Sequence, residues 1–221
     1  MGGTILSYFG FHLTAGQANG EIIPLNITID SVGMSIQSTQ GNMTENLSQL
    51  KGKEFEMTIT DIGKEGNLDA AEKIKFMVAG QESNLKGSFL MMFPDLSGSS
   101  YSEGISWTDN DTIDMSTNTD DVVMIMKSEN VFGPMEDYKG YKCIRINSIA
   151  TGKRSSISNT AQGQMTTDGN LQGKSSFLFE PELGILVWSE SDITMEGFVS
   201  IPTGDAFPLL VKTKYTTSII K

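Results

Sequence analysis

Period-two alternation of apolar and polar residues runs through most of this chain, and it constrains the fold more than any other feature. Leu25, Ile27 and Ile29 alternate with Asn26, Thr28 and Asp30, and the pattern resumes in Val32, Met34 and Ile36. Phe55, Met57 and Ile59 alternate in the same way with Glu54, Glu56, Thr58 and Thr60. Such alternation, rich in β-branched residues and threonine, is the signature of strands with one buried and one wet face. Further strands are expected over residues 122–126, 141–149, 156–167, 171–179, 185–199 and 209–219. Turns are expected at 61–67, at Gly133-Pro134, at Thr151-Gly152-Lys153, at Thr167-Asp168-Gly169-Asn170 and at 180–184, with a bulge or bend at Gly33. Consecutive strands joined by short turns pair antiparallel. No strand–helix–strand alternation occurs, which argues against a parallel sheet.

The helix-like region is 68–92. Ala70, Ile74 and Met77 stand at i, i+4 and i+7, and a second short helix over 85–93 would end at Pro94. Residues 95–121 are rich in Ser, Gly, Asp and Asn and read as a long loop around Ile105-Ser106-Trp107. The first 20 residues hold an aromatic patch (Tyr8, Phe9, Phe11) and a turn-like tract, and are expected as a loosely attached N-terminal segment of one all-β domain spanning 1–221.

Composition excludes several function classes. With 27 acids against 16 bases the formal net charge is −11, and the acids form no block. A phosphate backbone or an anionic lipid surface would repel such a chain, so nucleic acid is not an expected partner. There is one cysteine, Cys143, and one histidine, His12. An intrachain disulfide is therefore impossible, and a zinc site lacks ligands. The residue types of a His-dependent nucleophile sit far apart in sequence. Walker-type loops, H-E-x-x-H, C-x-x-C and G-x-S-x-G elbows are absent from the sequence. We therefore expect no enzyme, no catalytic residue, no cofactor and no metal site. Carboxylate pairs of the glycosidase kind are unmarked, because only Trp107 and Trp188 could stack on sugar. Asp109-Asn110-Asp111-Thr112-Ile113-Asp114 looks like the opening of a calcium loop but lacks the glycine and distal glutamate of an EF-hand, and is expected as a turn. N-x-[S/T] sites fall at Asn26, Asn42, Asn46 and Asn110, and matter only in a glycosylating pathway. No run of 18 apolar residues occurs. Met1-Gly2-Gly3-Thr4 is no signal peptide, and a leader or lipid anchor is expected to have been removed.

The thirteen methionines are informative. Met77, Met91, Met92, Met124, Met126, Met135 and Met195 fall in apolar segments. Methionine fills irregular space and adapts to varied apolar partners. It suits either an ordinary core or a pliable pocket for a lipid-like ligand.

A set of landmarks adds a resemblance. Lys51-Gly52-Lys53-Glu54-Phe55-Glu56-Met57-Thr58-Ile59 opens a strand that ends in a glycine turn (Gly63, Gly66). Phe93-Pro94 follows the helical piece, and Gly104-Ile105-Ser106-Trp107 opens the second half. Tyr138-Lys139-Gly140-Tyr141-Lys142-Cys143 precedes a long strand. The stretch from Gly173 through Phe177, Phe179, Glu180-Pro181-Glu182-Leu183-Gly184 to Leu186 forms a hairpin pattern. In this order the landmarks resemble a group of uncharacterised bacterial envelope lipoproteins over residues 22–219. More distantly they resemble the LolA/LolB-type lipoprotein carriers and related mycobacterial lipoproteins. The resemblance implies a half-barrel: a curved antiparallel sheet over helices, with an apolar cavity for acyl chains. It also implies an extracytoplasmic, non-enzymatic protein of the periplasm or outer membrane, touching the membrane only through a removed N-terminal anchor. It carries over no functional residue.

The expected fold is thus mainly β: a single strongly curved antiparallel sheet, LolA-like, with one or two short helical segments (68–92) covering its concave face. The expected function is an envelope binding protein holding an apolar or lipid-like ligand. Its wall is expected to include Phe55, Met57, Met77, Phe89, Met92, Met124, Ile144, Phe177 and Trp188. The alternative is a structural or interaction module that docks an envelope protein or a glycan through acidic loops or a sheet edge, with an exposed apolar patch near Trp107.

Overall fold

The computed structural model describes residues 3–38, 41–78, 81–90, 92–98, 101–117, 120–160 and 163–219. Met91 lies outside the described residues. The protein is mainly β, 71% strand and 5% helical, with a curled antiparallel half-barrel sheet. Two compact units are present, Met1–Asp95 and Leu96–Lys221. The single expected sheet is, among the described residues, a five-stranded sheet, a six-stranded sheet and a two-stranded hairpin.

In the first unit, residues 1–20, expected as a loose segment, contribute β1 (Gly3–Ala15), which pairs antiparallel with β2 (Ile22–Ser38) from Gly3↔Ser38 to Ala15↔Leu25. Beyond β2 come β3 (Gly41–Glu45), β4 (Glu54–Thr60) and β5 (Glu65–Gly66), with β3 and β4 both pairing β2. The switch from odd apolar positions (25, 27, 29) to even ones (32, 34) has a direct cause. The β1–β2 register slips where Gly10 faces Ser31 and Phe11 faces Ile29, which leaves Asp30 as the extra residue of a β-bulge. One inserted residue restores the phase, so Leu25, Ile27, Ile29, Val32 and Met34 all pack in the same core. The bulge is therefore at Asp30, not at Gly33, over which the Tyr8 ring lies.

Residues 68–92 are not one helical region. They form α1 (Asp69–Glu72), a hairpin of β6 (Lys75–Val78) with β7 (Gln81–Asn84), and α2 (Lys86–Phe89). Four-residue helices are too short to hold themselves, and neither has a side-chain N-cap. Period two wins locally: Phe76 is buried between exposed Lys75 and Met77, and Lys75 meets Glu82 across the hairpin at 2.6 Å. Both short helices serve the first unit's core, through Ala71 and Phe89.

The second unit is an up-and-down meander. Strands β8 (Ser106–Asp114), β9 (Asp120–Tyr138), β10 (Tyr141–Thr160), β11 (Gly163–Glu180), β12 (Ile185–Ser200) and β13 (Ala206–Ser218) lie in the order β13-β12-β11-β10-β9-β8, every pair antiparallel. Several expected turns are strand interior instead. Gly133-Pro134 lies inside β9, and the hairpin turn falls at Lys139 and Gly140, both at positive φ (50° and 83°). That is the backbone a tight two-residue hairpin demands. Thr151-Gly152-Lys153 lies within β10, and Thr167-Asp168-Gly169-Asn170 within β11. The expected loop over 95–121 contains β8. The turn at 180–184 is present, closed by Gly184 N–H donating to the Glu180 carbonyl at 2.9 Å.

Candidate binding surfaces

The ladder registers sort the second unit's sheet into two faces. Arg154 of β10 stands opposite Met124 of β9 and Gly169 of β11, and Gly169 stands opposite Gly197 of β12. The next row toward the start of β10 runs Met126, Gly152, Leu171, Met195, Val211. Lys153, Ser155, Asp168, Glu196 and Leu210 belong to the opposite, exposed face.

Two observations make the Arg154 face the concave one. A Cβ added at Gly152 would land on the Ile125 carbonyl oxygen, and one at Gly197 on the Asp168 carbonyl oxygen. Side chains converge on the inside of a bend, and glycine there lets neighbouring strands close up. The charge on Arg154 also acts on the phenol of Tyr215. Tyr215 lies on β13, three strands away and six residues beyond the Arg154 row. In a flat sheet the two would be roughly 24 Å apart, too far for such an effect. Curling brings them together.

One end of the concave face is filled. Trp107 and Tyr101 pack on Phe132 with ring centroids 4.5 and 5.7 Å apart, and Tyr101 also meets Phe179 at 5.5 Å. From Ser148 onward the floor changes to small residues: Ser148, Ala150, Gly152, Gly169, Gly173 and Gly197. Around this stretch stand Met124, Leu171 and Met195, buried, and Phe207, Val211 and Tyr215, exposed. Burial raises the Tyr215 phenol above its ordinary value, and Arg154 partly offsets this. Tyr215 is itself 57% exposed.

The nine expected wall residues are divided between the two units, five in the first and four in the second. Phe55, Met57 and Phe89 are buried in the first unit's core, and Met92 packs against them. Met77 is half exposed on β6. Met124, Ile144 and Phe177 lie on the concave face of the second unit's sheet, Ile144 and Phe177 towards its filled end. Trp188 pairs with Leu178 on the other face, in a small cluster with Cys143, Val187 and Tyr138. Arg154 and Tyr215 were not expected as site residues. Their signal was present as a lone cation at an inward position of an alternating strand, but Gly152, read as a turn, hid that strand.

The expected turn at 109–114 is part of β8, so it lacks the wrapped backbone of a calcium loop. Outside the concave face, an open groove of about 460 Å³ crosses β8, β9 and β10. Thr112, Lys127, Thr151 and Lys153 line it, and Lys127 is tied to Glu129 at 2.8 Å. Ile125 and Met126 also line it, so the groove is of mixed character and open to solvent.

Cys143 is fully buried, and burial together with the charges of Glu180, Glu136 and Asp137 pushes its thiol pKa up. That is the reverse of what a nucleophile needs. In the native protein its reaction with a water-soluble disulfide reagent at neutral pH should run only as fast as the chain opens. Immediate labelling would contradict the burial.

No protein-family model, curated protein or solved structure matches this chain.

Proposed function

We propose that this is a non-enzymatic binding protein that holds an apolar, lipid-like ligand against the concave face of its six-stranded sheet. One observation carries the reading: inward-pointing Phe207, Val211 and Tyr215 are exposed beside a floor of glycine, alanine and serine. A monomeric domain rarely leaves apolar residues together on a hollow surface without something to cover them. The methionines at 124, 126 and 195 on this face supply the adaptable contacts that a flexible chain needs. Because α1 and α2 belong to the first unit's core, the proposed site is the sheet's own concavity rather than a gap beneath a helical cover. In line with the resemblance drawn from its landmarks, such a protein would work in the cell envelope, LolA-like, held there by an N-terminal anchor.

Native mass spectrometry of the purified chain, before and after incubation with fatty acids and phospholipids, tests this. A stoichiometric acyl species is the expected result. A bare protein mass that no lipid alters would overturn it.

A second reading, an interaction module, is favoured by β13. Among the described residues this strand pairs with β12 alone. On its outer face Leu210 is exposed beside Phe198 of β12. Pro208, Lys212 and Lys214 are the residues that discourage indiscriminate strand addition at an edge. This reading would gain if Leu210→Lys abolished binding of an envelope partner while lipid binding stayed intact.

A further inference from the structure

We propose that Arg154, with Tyr215 beside it, anchors the acidic head of the bound ligand, so that the ligand is an anionic amphiphile: an acyl chain carrying a carboxylate or phosphate. This rests on the preceding reading of the concave face as the ligand site.

The chain has two arginines, and they are treated in opposite ways. Arg145 is fully engaged, with Glu136 at 2.6 Å and the Ser176 hydroxyl at 2.7 Å. Arg154 has neither an ion pair nor a side-chain hydrogen bond among the described residues. That is unexpected in a chain with 27 acids and a net charge of −11. The strand explains the isolation. Its neighbours Lys153 and Ser155 point outward, and Ser155 donates to Asp168 at 2.9 Å on that outer face. Arg154 points inward, where the positions beside it hold Met124, Gly169 and Gly197. None of these side chains carries an acceptor oxygen; along the strand the same face continues with Gly152 and the buried Ser156, whose hydroxyl is neutral and leaves the charge unpaired.

A cation partly withdrawn from water and left without an acceptor is costly, and proteins seldom keep one without a partner. Burial holds the guanidinium pKa below its ordinary value, although arginine stays charged. The planar fork matches a carboxylate or phosphate with two parallel hydrogen bonds. Gly169 and Gly197 add no side chains of their own beside it, and the Met195 side chain lies over Gly169. The Tyr215 hydroxyl can supply a further donor to the same oxyanion. In the adjoining row Leu171, Met195 and Val211 offer an apolar path for the chain of the ligand on the β11–β13 side, whereas the β8 end of that row carries Asp111, so the ligand runs away from β8.

The test uses the full-length protein and displacement of an uncharged fluorescent probe, N-phenyl-1-naphthylamine. The competitors are oleic acid, oleoyl lysophosphatidic acid and oleyl alcohol. For wild type, an acidic competitor should bind at least about tenfold more tightly than the alcohol. Arg154→Gln should bring that preference within about twofold while leaving the alcohol's affinity unchanged. Arg154→Lys, which keeps the charge but not the fork, should retain part of it. A preference for the fatty acid over the lysophospholipid, or the reverse, identifies the head as carboxylate or phosphate. If all three bind wild type equally, or if Arg154→Gln leaves the acidic preference intact, the anchor is refuted while the apolar site stands. If none displaces the probe, the reading of the concave face falls and the anchor with it. Circular dichroism melting of each variant separates loss of contact from loss of fold, and Tyr215→Phe gives an independent check, with an expected loss confined to the acidic competitors.

Discussion

Replacing Phe89 by alanine should cost the first unit about 3–5 kcal/mol, a large share of the stability of a domain this size. Phe89 is completely buried at the end of α2, and its ring meets Phe11 of β1 at 4.8 Å and Phe55 of β4 at 5.0 Å. It joins the first strand, a central strand and the short helix in one contact set. Removing it leaves a ring-sized hole that three separate elements would have to close. Four-residue helices gain almost nothing from their own hydrogen bonds, so α2 is held chiefly by this packing. Both tryptophans, at 107 and 188, lie in the second unit, so tryptophan emission does not report on the first. The proper readout is hydrogen exchange at the amides of β2 and β4 in increasing urea. Protection there should fall by several orders of magnitude. Unchanged protection would mean that the first unit's core does not depend on this ring. Met77→Ala, on the exposed side of β6, is the matched control and should change stability by less than about 0.5 kcal/mol.

The strand content and antiparallel pairing were legible because alternation reports directly which face of a strand is wet. Even the bulge at Asp30 was written in the sequence, as the change from odd to even apolar positions between Ile29 and Val32. The misreadings share a cause. Gly152, Asp168-Gly169 and Gly133-Pro134 carry the residues that usually make turns, yet here they lie within strands of 18 to 20 residues. Local sequence shows that glycine permits an unusual backbone or a close approach. It does not show which of the two is in use, because the approaching strand comes from elsewhere in the chain. Residues 68–77 failed for a related reason: Ala70, Ile74 and Met77 fit a helical stripe, but the pairing of β6 with β7 outweighed it. The candidate site was the least legible part. Arg154 and Tyr215 are neighbours only through the curl of the sheet, which no local pattern encodes. Wall residues chosen by alternation were mostly core, since a cavity and a core draw on the same residue types.

The curl itself can be tested at two glycines on the same face. Gly197→Ala should destabilise the second unit by about 3 kcal/mol. The new methyl would fall on the Asp168 carbonyl oxygen and crowd the Gly169 Cα, both of them backbone and neither able to swing away. The β11–β12 pair would have to spread or flatten to admit it, which would also draw Tyr215 away from Arg154. Gly173→Ala is the contrasting case. Its methyl would meet Ile193 at 3.4 Å and the Asp192 carbonyl at 3.6 Å, ordinary contact distances, at a backbone angle that alanine accepts. Glycine in a strand interior is otherwise a weak choice, so this substitution should be neutral or stabilising by up to about 1 kcal/mol. Urea unfolding followed by tryptophan emission reports on both, because Trp107 and Trp188 sit in this sheet. If the two variants lose stability equally, glycine is merely tolerated at 197, and the concave face does not depend on it. If Gly197→Ala alone is destabilised and also loses affinity for the acyl probe, the bend that excludes the methyl is the bend that forms the site.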